Sequence, residues 1–244
     1  MAVINKENGK MWHIDVDSND IGKYVILPGD PFRTDLIAGF LDDAKLVAHK
    51  REHKTWTGTL DGVKVSVTST GMGGPSAAIA VEELIGAGAH TFIRLGTAGR
   101  VSEESKSVDL DGILCQAAIR DEGTTINYVP IEYPAIAHYD VLKALRDTVE
   151  EKGLNYLTGI VHCKDSFYAQ HEPDSMPNSD YLHSRWKAWE KSNVVGSEME
   201  TAALFVVASV RKVRSGAIMN FGDMETTIQV TCDAIRKLIK LDNQ

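Results

Sequence analysis

Four times along this sequence an apolar or β-rich run leaves directly into a glycine turn that carries or precedes polar groups. "KYVILPGDPFR" reads as a buried strand over Tyr24 to Leu27, then a Pro-Gly-Asp-Pro turn, with Arg33 one turn into a following helix. "SVTSTGMGGPS" ends a hairpin and places Pro75 at a helix start. "TFIRLGTAG" brings Arg94 to the end of a strand, and "VVGSEMET" brings Glu198 and Glu200 to the end of a short one. Strands that end this way belong to α/β folds, where glycine turns and helix N-termini expose unpaired N–H groups beyond the strand ends and ligands collect there.

The remaining segments agree with that class. "TWTGTLDGVKVSVTST" is a hairpin around Asp61-Gly62, and "GILCQAAI", "NYLTGIVHC" and "VRSGAIMN" continue the strand series. "AHYDVLKALRDTVEEKG" carries Val141, Leu142, Leu145 and Val149 on one helical stripe, and a last helix follows Asp223, placed as its N-cap. Short connections and alternating elements predict a mixed, largely parallel central sheet flanked by helices on both faces. A single domain over 1–244 is expected, because no Pro-, Ser- or charge-rich linker interrupts the chain and 43% hydrophobic content can fill one large core.

Charge narrows the function classes. With 26 basic against 34 acidic residues the net charge is −8, which argues against a general grip on nucleic acid or an anionic membrane. A small anion meeting a local group of arginines remains compatible. No apolar run is long enough to span a bilayer and "MAVINKENGKMWHI" lacks the apolar core of a signal peptide, so a cytoplasmic location is expected. Cys115, Cys163 and Cys232 are far apart and lack CxxC spacing; buried free thiols are expected, not a disulfide or zinc site.

"GMGG" does not fit the dinucleotide fingerprint and there is no Walker sequence. The turns instead gather Gly29, Arg33, Arg94 and Thr97 where an oxyanion could sit, with two carboxylates on a neighbouring turn. That mixture suits a ligand with a phosphate end and a diol. Taken alone, "GSEMETAALFVVAS" predicts a helix starting near Met199 with Glu198 and Glu200 as solvated acids of its first turn.

Seven segments in order, "WHIDVDSNDIGKYVILPGDPFR", "REHKTWTGTL", "VSVTSTGMGGPSAAIAVEEL", "FIRLGTAG", "IEYPAIAHYDV", "CKDSFYAQH" and "SEMETAALF", resemble the nucleoside phosphorylases of the trimeric or hexameric type, most closely their uridine-cleaving branch. The resemblance implies attack of inorganic phosphate, a co-substrate, on C1′ of a nucleoside, giving free base and ribose 1-phosphate without cofactor or metal. It implies a homo-oligomer, a dimer or a trimer of dimers, with each site shared across a dimer. Gly29, Arg33, Arg94 and Thr97, with Arg51 from the partner subunit, would hold phosphate. Glu200, Met199 and Glu198 would meet the ribose, with His13 crossing the interface to the 5′-hydroxyl. Arg94 and Glu200 would be the catalytic pair. Phe167 and Gln170 would meet the base.

Two departures from the family pattern fall on the base side. Ser175 stands where uridine-specific relatives carry an arginine, and only Phe221 and Gly222 separate Asn220 from Asp223, where relatives run through a long segment. Leaving-group stabilisation is therefore expected to fall to Gln170 and water, with weak turnover. Purine nucleoside phosphorolysis, nucleoside hydrolysis and nucleoside binding without catalysis are the alternatives.

Overall fold

In the computed structural model, residues 6, 7 and 9–244 are described. A two-stranded ribbon, β1 (Lys6–Glu7) with β2 (Lys10–Met11), precedes the main sheet. That sheet is built from β3 (Tyr24–Leu27), β4 (Asp42–Lys50), β5 (His53–Leu60), β6 (Val63–Thr68), β7 (Thr91–Thr97), β8 (Gly99–Arg100), β9 (Gly112–Asp121), β10 (Ala135–Ile136), β11 (Tyr156–Lys164), β12 (Gly196–Glu198) and β13 (Arg214–Asn220). The helices are α1 (Arg33–Ala38), α2 (Gly74–Gly86), α3 (Glu103–Ser107), α4 (Tyr139–Glu151), α5 (Phe167–His171), α6 (Ser179–Lys191), α7 (Thr201–Arg211) and α8 (Met224–Asp242).

The sheet is mixed, as expected, and its order is β4-β5-β6-β3-β7-β13-β9-β11-β12-β8, with β10 added beside β9. Parallel pairings form two blocks, β6-β3-β7-β13 and β9-β11-β12, which meet antiparallel where Ile218 faces Leu114. Only Ala98 separates β7, in mid-sheet, from β8 at its far edge. A one-residue link cannot cross several strand spacings of ~4.8 Å, so the sheet curls until β12, paired with β8, faces the end of β7.

Period-two alternation assigns the faces. Phe92 packs in one cluster with Val81 and Leu84 of α2 and Phe205 and Val206 of α7, while Ile93 and Leu95 pack in the other with Val141 and Leu145 of α4 and Ile235 of α8. Arg94 therefore shares the α2–α7 face with Phe92. Every residue from Thr201 to Ala208 is buried, so α7 is central, as its continuous apolar sequence requires. The helix starts at Thr201 and not near Met199, because Met199 and Glu200 are drawn into the turn after β12. Asp223 caps α8 as expected, its side chain accepting from the Thr226 N–H at 2.7 Å. No helix among the described residues is long and apolar enough to cross a membrane.

Candidate active site

A cleft of about 690 Å³ opens where the turns after β3, β6, β7 and β12 converge. Gly29, Arg33, Arg94, Thr97, Glu198, Met199, Glu200 and Phe167 all line it. At its floor Arg94 is 4% exposed and holds two acids. Its Nε donates to Glu198 Oε2 at 2.9 Å and its Nη2 lies 2.5 Å from Glu200 Oε2. Its third nitrogen, Nη1, is buried without a hydrogen-bond partner among the described residues. A buried charged donor left unpaired is costly, so an acceptor from a ligand is the natural complement.

Arg33, the first residue of α1, supplies the second guanidinium. Its side chain makes no hydrogen bond or ion pair among the described residues, and burial, together with the charge of Arg94, lowers its pKa. Two cations that repel one another across an open cleft favour an anion between them. Thr97 is exposed at the lip, its hydroxyl making no hydrogen bond among the described residues, and Gly29 contributes backbone beside Asp30.

The two acids are buried, at 4% and 5% exposure, which overturns the reading of a solvated first turn. The cause is local. Glu198 accepts the backbone N–H groups of Glu200 and Thr201, both at 2.9 Å, so it satisfies the start of α7 while gripping Arg94. Glu200 Oε1 accepts the Gly73 N–H at 2.5 Å, just before α2 begins. Gly73 has φ of +89°, a conformation that favours glycine. Burial raises the pKa of both carboxyls, but in Glu198 the Arg94 charge and the backbone donors outweigh it and leave a lowered value. In Glu200 burial and the neighbouring Glu198 charge win, and the value is raised.

The end of the cleft where the family resemblance would place a base is lined by Phe167, His171 and Lys164. Phe167 and His171 stack with centroids 4.1 Å apart. Gln170 lies outside this cleft, in an adjoining cavity, and its Oε1 accepts from Ser197 Oγ at 2.7 Å. Ser175 is exposed in a short 3₁₀ turn. The short connection after β13 is pinned: Phe221 and Gly222 both donate to the Asp111 carbonyl, and Phe221 packs under Arg100.

His13 and Arg51 do not line this cleft. The His13 ring is 2.5 Å from Glu83 Oε1, in a separate hollow beside α2. Arg51 sits exposed at the tip of the β4–β5 hairpin with φ of +56°. The sequence reading missed Lys164 and His171. Lys164 carries the signal used elsewhere, a charged residue ending a strand, within the quoted "CKDSFYAQH".

Comparison with known proteins bears on this arrangement. The model of the phosphorylase superfamily matches residues 23–232. The chain belongs to that superfamily. Among its relatives, the uridine phosphorylase of Treponema pallidum (strain Nichols) is 44% identical over 95% of both chains. The uridine phosphorylase of Thermococcus kodakarensis is 40% identical over 87% of this chain and 76% of its own. The guanosine phosphorylase of Halorubrum lacusprofundi is 36% identical over 86% and 81%. For a superfamily cleft with a carboxylate of raised pKa, activity that needs ionised Glu200 should fall on the acid side at a pH above the ordinary glutamate range. A kcat/KM profile between pH 4 and 8 at saturating phosphate checks this; a limb at the ordinary glutamate value would show that Glu200 is not the titrating group.

Proposed function

We propose that this chain is a nucleoside phosphorylase that cleaves uridine with inorganic phosphate. The observation that carries the reading is the buried Nη1 of Arg94, unpaired among the described residues, in the cleft that Arg33 and Glu200 also line. The uridine phosphorylases among the relatives support the choice of base.

In this mechanism Arg33, Arg94, Thr97 and the Gly29 backbone fix the phosphate as a positioned nucleophile below the sugar. Glu200 accepts from the ribose hydroxyls, Met199 packs on the ring, and Glu198 holds Arg94 and the Glu200 backbone in place. As the bond from C1′ to the base nitrogen lengthens, positive character develops on the ribose, which the Glu200 carboxylate stabilises. A phosphate oxygen forms the new bond to C1′, and the electron pair of the old bond leaves with the base. Phe167 and His171 flank the base; Gln170 must turn from Ser197 to reach it. The chemistry calls for phosphate as co-substrate and for no cofactor.

The test is product analysis of uridine, guanosine and inosine with and without phosphate. Phosphate-dependent release of uracil with ribose 1-phosphate is expected. Release without phosphate would overturn phosphorolysis, and a preference for guanosine would favour the second reading, purine phosphorolysis, for which the guanosine phosphorylase relative speaks.

We also infer a homo-oligomer in which His13 and Arg51 complete the site of a partner subunit, since both lie outside their own cleft. Mixing an Arg51→Ala variant with a Glu200→Gln variant should then restore activity at about a quarter of the sites, those in mixed dimers that receive neither lesion. Recovery no greater than the sum of the separate variants would argue for self-contained sites. A cytoplasmic setting suits the three buried free thiols.

A further inference from the structure

Lys164 ends β11 at 6% exposure and is a wall common to two spaces: the nucleoside cleft, and a second cavity of about 510 Å³ that also holds Gln170, Trp186 and Trp189. Its Nζ donates one hydrogen bond, to Ser197 Oγ at 2.8 Å, and no carboxylate lies within ion-pairing distance among the described residues. An ammonium has three donors, so two remain for a ligand. Burial lowers its pKa, while the charges of Glu198 and Glu200 oppose that. Such a group is costly to desolvate and retain without an acceptor.

The other cations near the base end are occupied. Arg100 donates to the carbonyls of Ser105, Val108 and Leu110 and covers Phe221. Arg185 pairs with Asp121. Gln170 is engaged by Ser197, and the 220–223 connection is tied to Asp111. A base leaving through this end meets one buried cation with free donors.

We propose that Lys164 is a catalytic residue that stabilises the departing base, its ammonium donating a hydrogen bond to a base carbonyl oxygen as negative charge develops there. The bond from C1′ to the base nitrogen breaks, its electron pair passes into the base, and the base leaves as an anion held by Lys164 until solvent protonates it. No proton need leave the lysine. This rests on the phosphorolysis reading and replaces the expectation that Gln170 and water alone carry the leaving group.

The test compares uridine with 5-fluorouridine, whose fluorine withdraws electrons and makes the base a better leaving group. Lys164→Met should lower kcat/KM for uridine by about 10²–10³-fold, the usual cost of one lost transition-state donor. The loss should be about tenfold smaller for 5-fluorouridine, which depends less on that donor, while phosphate KM changes little. Lys164→Gln, which keeps a donor for Ser197, should fold and show the same selective loss. Equal losses on both nucleosides, or none, in a folded Lys164→Gln protein would overturn the proposal. An unmodified protein inert towards uridine and phosphate would instead overturn the phosphorolysis reading on which it rests.

Discussion

Arg94→Met should abolish phosphorolysis and destabilise the fold by about 3–5 kcal/mol, the range seen when one partner of a buried ion pair is removed. The size follows from what the guanidinium holds. Without it, Glu198 and Glu200 would face one another, nearly dry, with only backbone donors between them and the interior. The protein has one relief open to it. Glu200 already has a raised pKa, and losing Arg94 would raise it further, so this carboxyl would take up a proton on folding. A folded-state pKa above the unfolded value means that the folded state binds more protons, so the variant should regain stability as pH falls through that raised value. Denaturant unfolding at pH 5 and pH 8 measures both effects. A variant equally stable at both pH values, and as stable as the parent, would show that Arg94 is not the counter-charge of this pair.

Glu200→Gln should separate chemistry from stability. The amide keeps the shape but loses the charge and one acceptor, so kcat should fall by about 10²–10³-fold, as for other lost charge-stabilising groups. Stability should change by no more than about 1 kcal/mol. Because the folded-state pKa of Glu200 is raised, its ionised form at neutral pH opposes folding, and removing that charge offsets the weakened contact with Arg94 or Gly73. Glu198 has the opposite sign: its lowered pKa means that its contribution is present above the unfolded value and fades as pH drops through the folded one. Thermal melting beside steady-state kinetics on Glu200→Gln gives the answer, and a loss of stability matching that of Arg94→Met would make Glu200 chiefly structural.

Much of this arrangement was legible in the sequence because strand ends and glycine turns are local signals. Gly29, Arg33, Arg94, Thr97, Met199 and Glu200 lie on three separate segments, and the fold brings them to one cleft. The mixed sheet and the Asp223 cap follow from patterns of the same short range. What escaped is what depends on distant partners. β4, "DDAKLVAHK", is a mostly exposed edge strand with charged residues, so it shows no clean alternation. α6, "SDYLHSRWKAWEK", buries none of its residues fully and leaves only a weak stripe. The burial of Glu198 could not be seen from its own segment, because the compensating guanidinium lies 104 residues away. Gln170 matched its motif, but its amide is turned towards Ser197, a contact no spacing predicts.

The curl that sets β12 against β8 also bears on how the chain reaches its native state. Arg94 meets Glu198 across 104 residues of chain, and Gly73 meets Glu200 across 127. Closing loops of that length before any contact rewards them slows folding. The cleft can therefore take shape only after both halves of the sheet exist and have met. In refolding, competence to bind phosphate should appear last, well after the β5–β6 hairpin and the helices have formed.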